Sequence, residues 1–157
     1  TGRPVLMSAS VNGSLAGLVS LTAGAATLNP VTAIVTGLIA GALTTWGAEA
    51  LRQRRIDDTV DAIAVHGLGG TWGLLAAGLF FEGDLFSGSR VMVQVLGAVA
   101  AFAWAFPMAY VCFKLVDKLI GLRAPTLNEQ RGLDYTEHHE IGYPEFQNSP
   151  GQMHKEA

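Results

Sequence analysis

The sequence predicts an all-α fold, a polytopic bundle of four membrane-spanning helices, and three observations predict it. Half of the 157 residues are hydrophobic and only 15% are charged, against roughly a quarter in ordinary soluble domains. The mean hydropathy is +0.34. The charges are also segregated, because residues 4–48, 62–81 and 91–113 contain no Asp, Glu, Lys or Arg. Such apolarity excludes a disordered chain, and a net charge of -3 excludes a nucleic-acid partner. The single cysteine, Cys112, lies in an apolar run and reads as a small buried residue. One thiol makes neither an intramolecular disulfide nor a thiolate metal cluster. Thr1-Gly2-Arg3-Pro4 leads straight into an apolar run with no signal pattern and no initiator Met, as expected of a piece of a longer chain.

Crossing a hydrocarbon core of about 30 Å takes about 20 apolar residues. The first uncharged run is more than twice that length and must cross twice. Its break falls at Leu28-Asn29-Pro30, where proline lacks the donor for an internal helix bond and disfavours a helical residue before it. The expected spans are residues 5–28, 31–51, 59–81 and 91–122, with Pro107 predicting a kink in the fourth. Residues 1–122 thus form the membrane region, and the polar residues 123–157 a cytoplasmic tail. Arg3, Arg52, Arg54, Arg55, Lys114, Lys118 and Arg123 all fall on one side of a four-span bundle, and Arg90 alone on the other. Basic residues in short connections stay cytoplasmic, which puts both ends of the chain there. The pairs Gly13/Gly17, Gly37/Gly41 and Gly69/Gly73 have the four-residue spacing that lets helix backbones approach closely in lipid.

The third span carries the candidate chemistry. Asp57 or Asp58 can cap its start, and a cap is all that Asp57 needs as an explanation. Asp61, expected one turn further in, needs bonds from a neighbouring helix. His66 is eight residues past Asp58, about 12 Å at the α-helical rise. Counted at that spacing, its face holds Ala62, Ile63, Gly69, Gly70 and Gly73, which leaves room before the ring. A neutral imidazole offers one donor and one acceptor, suited to passing a proton or a small neutral hydrogen-bonding solute. Rings of carbonyls or carboxylates for a naked cation are missing from these spans, as are further ligands for zinc. The plain alternative for His66, a satisfied core residue, stays open at this point.

These residues resemble a known family. The run from Ile56 to Gly73, IDDTVDAIAVHGLGGTWG, is similar to the tenth transmembrane helix of ammonium transporters of the Amt/Mep/Rh family. Asn12 to Gly24 resembles the eighth helix, and Gly121-Leu122-Arg123 followed by Gly132 to His138 resembles the cytoplasmic tail. The resemblance implies the last four spans of an eleven-helix inverted-repeat fold, assembled as a homotrimer in the cell inner membrane. It implies a channel-like transporter and not an enzyme, without cofactor or metal, that takes ammonium, strips its proton and conducts ammonia past paired histidines. In that reading His66 is the second pore histidine, Ala62 and Asn12 line the pore, and Asp58, Asp61 and Gly70 support its helix. Gly132, Asp134 and Thr136 belong to a regulatory tail that can meet a PII-type signal protein. The first histidine, the outer recruitment site and the phenylalanine gate belong to an N-terminal half that is outside this sequence. Thr59 stands where the family often has proline, and no cysteine stands near Gly24 and Ala25. Other expectations are an ammonium sensor built on the same fold and a non-conducting truncated fragment.

Overall fold

The computed structural model describes residues 7–140 and divides into two compact units at Ala105/Phe106. Every regular element among the described residues is helical. The expectations for residues 1–6 and 141–157 lie outside the described residues.

Helix α1 (Met7–Thr22) stops six residues short of the expected Leu28. A turn replaces its last residues, with the Gly24 carbonyl accepting from the amides of Thr27 and Leu28, both at 2.9 Å. Helix α2 (Pro30–Gln53) starts as the sequence suggests: Pro30 occupies its first turn, and the Asn29 side chain accepts the Thr32 amide at 3.0 Å. It ends with Arg55 in the left-handed region, φ +57°, and the Ile56 amide reaching back to the Leu51 carbonyl at 3.0 Å. That bond closes a Schellman-type cap with arginine where glycine is usual.

The third span departs furthest from expectation. Its helix begins at Ala62, because Asp61 adopts φ +53° and cannot continue a right-handed helix. Residues 63–68 form a π-helical turn, Ile63–Leu68, that runs into α3 (Gly69–Leu79). The Gly69 amide bonds the Ala64 carbonyl, five residues back. Helix α4 (Gly88–Ile120) runs through Pro107 as one element of 33 residues. Of the four expected spans, α2 and α4 are long and apolar enough to cross a membrane by themselves. The described part of α1 has 16 residues, about 24 Å at the helical rise.

Small residues set how α1, α2 and α3 meet. A Cβ on Gly17 would lie 3.7 Å from the Gly37 Cα, and one on Gly41 would lie 3.5 Å from the Gly13 carbonyl. The two glycine pairs therefore cross with backbone against backbone. On α3, Gly69 faces Ala16 and Thr44, and a Cβ on Gly73 would overlap the Ser20 backbone. The buried centre is accordingly small: Ala16, Ala40 and Val65, flanked by Val19 and Trp72. Polar groups in it are satisfied. Ser20 and Thr36 bond carbonyls of their own helices, while Thr44 Oγ1 donates across to the Ala64 carbonyl at 3.2 Å and Trp72 Nε1 to the Thr36 carbonyl at 3.0 Å.

One end of this unit gathers the α1 start, the α2 end and the approach to the π turn, through bonds from Asn12 and Arg52 to Asp61. At the opposite end the Glu82 amide bonds the Thr27 carbonyl at 2.8 Å, and the Arg90 guanidinium stacks 3.7 Å from the Phe81 ring centre. Trp72, Phe80 and Phe86 meet edge to face in sequence, with ring centres 6.5 and 5.8 Å apart.

In the second unit the remainder of α4 is followed by two short helices, α5 (Thr126–Arg131) and α6 (Leu133–His138), joined at Gly132 with φ +95°. Only glycine adopts that backbone freely. Arg123 Nε pairs with Glu129 at 2.9 Å. Cys112 is exposed and not buried, since α4 has no buried residue along its length.

Candidate functional site

The approach to His66 is built from side chains that replace missing backbone partners. A helix start leaves four amides unpaired. Asp58 Oδ2 accepts two of them, from Ile63 at 2.9 Å and Ala64 at 3.3 Å, while the Asp61 carbonyl accepts the Val65 amide at 2.8 Å. The cap is thus Asp58. Asp57 has a different task from the one expected, accepting the Thr59 hydroxyl at 3.3 Å.

Asp61 stands ahead of the helix instead of one turn inside it. Its carboxylate is buried, with 10% of the side chain exposed. Asn12 Nδ2 donates to Oδ2 at 2.8 Å, and Arg52 Nη2 donates to both oxygens at 3.1 and 3.2 Å. Asn12, Arg52, Asp57, Asp58 and Asp61 share a cleft of about 690 Å³. The sequence reads Arg52 only as a topology charge. Its position in the last turn of α2, within side-chain reach of the next aspartates, was the available signal.

With the helix starting at Ala62, His66 is about one turn inside it, roughly 6 Å at the α-helical rise and not 12 Å. The faces also differ from the count. Ala64, Val65, Gly69, Gly73, Ala76 and Ala77 are buried, whereas Ala62, Ile63, His66 and Gly67 are exposed and Gly70 is half-buried. Gly69 and Gly73 therefore pack away from His66. The wide turn is the reason, since a repeat of five residues per bond advances the face less per residue than 3.6 per turn. The His66 imidazole makes no hydrogen bond to a described residue.

Two contacts missed in the sequence hold the turn from behind. Thr44 bonds the same Ala64 carbonyl that receives the Gly69 amide, and Gly47 leaves the space that the Leu68 side chain fills. Thr36, Ala40, Thr44 and Ala48 recur every fourth residue, the signal of a small-residue face. In the tail, the Thr136 hydroxyl donates to the Gly132 carbonyl at 3.1 Å, and the Asp134 carbonyl accepts the Glu140 amide at 2.9 Å. His138 ends α6 and His139 follows it in the left-handed region, φ +55°.

Comparison with known proteins decides the family, because the sequence profile of the Ammonium Transporter Family matches residues 1–143. The chain belongs to the Ammonium Transporter Family. Among relatives in this family, the ammonium transporter Amt2 of Archaeoglobus fulgidus is 40% identical over 150 residues, covering 86% of this chain and 32% of that protein. An ammonium transporter of Bacillus subtilis is 36% identical over 155 residues, 90% of this chain and 37% of its own length. The ammonium transporter 1 of Dictyostelium discoideum is 32% identical over 153 residues, 90% and 33% respectively. The chain spans about a third of the length of the curated relatives it matches.

Proposed function

We propose that this chain forms one wall of an ammonium-conducting pore, the C-terminal part of a transporter subunit in the cell inner membrane. The observation that carries the reading is the division of the His66 helix into two sides. One side is closed by glycine and alanine against α1 and α2, and the other, with His66, Ala62 and Gly67, is exposed among the described residues. An ionisable group in an apolar helix is costly and belongs beside a cavity or a partner. Helices of an N-terminal half complete the pore in this reading, giving an eleven-helix inverted-repeat subunit and a homotrimer embedded in lipid.

Ammonium reaches the pore and parts into ammonia and a proton that cross separately, the ammonia passing along the His66 ring, whose donor and acceptor exchange with the solute without a fixed charge, and the proton carrying the current. Residues 1–122 supply the multi-pass region. Residues 123–157 lie in the cytoplasm with both chain ends, and the segment around Gly132, Asp134 and Thr136 is a regulatory element that a PII-type protein engages. The test is electrical recording from membranes holding the complete parent protein. His66→Ala is expected to change the ammonium-evoked current or its selectivity, and an unaltered current removes His66 from the pore.

A further inference from the structure

Three properties of Asp61 belong together. Its backbone sits at φ +53°, which is unfavourable for a residue with a Cβ and persists where the surroundings impose it. Its nearly buried carboxylate is gripped from two other helices, by Asn12 of α1 and by Arg52 of α2. Its carbonyl takes the Val65 amide, the residue immediately before His66. A buried carboxylate needs such charged and amide donors, and losing one leaves it under-satisfied.

We propose that Asn12, Arg52 and Asp61 are positioning residues that act through the backbone, locking the rotation of the Ile63–Leu68 turn and with it the direction of the His66 ring. One N–H of the Asn12 amide is given to Asp61. Arg52 is half exposed, so its Coulomb attraction is screened. The geometric share of the lock falls to the Asn12–Asp61 bond. Asp58 acts one step later, on Ile63 and Ala64, and Thr44 holds the Ala64 carbonyl from the opposite side. The turn is therefore fixed at its start and along its back, while no hydrogen bond from a described residue holds its His66 ring.

The importance of His66 for conduction is the reading given above, and this inference rests on it only for its meaning in transport. The test reads structure first. In the full-length protein, amide hydrogen exchange over residues 62–69 is compared among the parent, Asn12→Ala, Asp61→Asn, and the double variant that swaps the two side chains, Asn12→Asp with Asp61→Asn. In the double variant the amide at position 61 donates to the carboxylate at position 12, and its carbonyl oxygen accepts from Arg52, which restores the bond between positions 12 and 61 in the reverse direction and one of the two Arg52 bonds. Each single change is expected to speed exchange in 62–69 by about tenfold or more, with residues 73–79 unchanged, and the double variant to recover most of that protection. Transport per folded molecule should fall with the single changes and recover with the double one. Parent-like exchange in the single variants, or failure of the double variant to recover, overturns the proposal. Should the single variants not assemble, the double variant decides alone: assembly with most of the parent's protection supports the lock, and failure to assemble overturns it. An inert His66→Ala defeats the pore reading and leaves the exchange result standing, so the two failures are distinguishable.

Discussion

Helices α2 and α4 are alike in apolarity and opposite in packing. Both are long and apolar enough to cross a membrane, yet 28% of the most apolar stretch of α2 is buried within the chain and none of that of α4. The difference does not lie in the spacing of small residues, which both helices have. In α2, Thr36, Ala40, Thr44, Gly47 and Ala48 make a narrow strip onto which α1, the π turn and α3 all settle. In α4, Gly97, Ala101, Ala105 and Ala109 make a strip of the same spacing, yet none of them is buried, and the large Phe102, Trp104, Phe106, Tyr110 and Phe113 around it are exposed as well. Hydropathy thus says that a helix tolerates lipid. A small residue at every fourth position lets another backbone approach closely in lipid, but which helix takes that place is a tertiary matter the spacing alone does not give.

The largest expected effect breaks the packed side of this contrast. Gly73→Val drives a side chain into the Ser20 backbone, and the complete protein in detergent should lose several kcal/mol, in the upper part of the roughly 1–3 kcal/mol typical of overpacking or beyond it. Gly97→Ala is its counterpart on α4, where a Cβ meets nothing within 4 Å, and it should change stability by no more than about 1 kcal/mol. Thermal unfolding of both variants is the measurement, and a severe loss from Gly97→Ala would show that α4 is tightly covered in the assembled protein.

A smaller change sharpens the same comparison. Trp72→Phe keeps an aromatic ring and removes the donor to the Thr36 carbonyl, which should cost about 1 kcal/mol in the same melts. A neutral outcome would leave the small residues, without the indole bond, as what holds α3 on α2.

The smallest effect belongs to the connection before α4. Hydrogen bonds from Arg90, and then from Ser87, hold the Asp84 carboxyl below the ordinary aspartate value of 3.8. A carboxyl that titrates lower when folded stabilises fully above that ordinary value, and its contribution is lost as pH falls through the depressed native value. Acid unfolding should therefore begin at slightly higher pH in Arg90→Ala. The side chains are exposed, so the shift is expected to be slight and to shrink with added salt.

The start of α2 was legible because its signals are local. Proline, the Asn29 cap and the charge-free run all act within a few residues. The glycine pairs were legible for a related reason, since four-residue spacing maps directly onto one helix face. The π turn was not. Nothing in hydropathy distinguishes a bond to the fifth residue back from one to the fourth, and the count that placed Gly69 and Gly73 beside His66 assumed the latter. Asp61 was misplaced for a tertiary reason: its backbone is left-handed and its carboxylate is held by Asn12, 49 positions away, and by Arg52, which no short-range rule joins to it. The early end of α1 follows from the turn at Gly24, which the bond between Thr27 and Glu82 ties to a connection far later in the chain.

The Ile63–Leu68 segment holds one surplus residue relative to regular α-helical winding. Removing Gly67 would let the coil rewind to ordinary pitch while the glycines beyond it keep their seats on Ala16 and Ser20. The slack would fall between those seats and the Asp58 and Asp61 anchors, on residues 63–66, swivelling the imidazole out of its present bearing. A single deleted codon would thereby redirect the ring without altering any side chain that touches it.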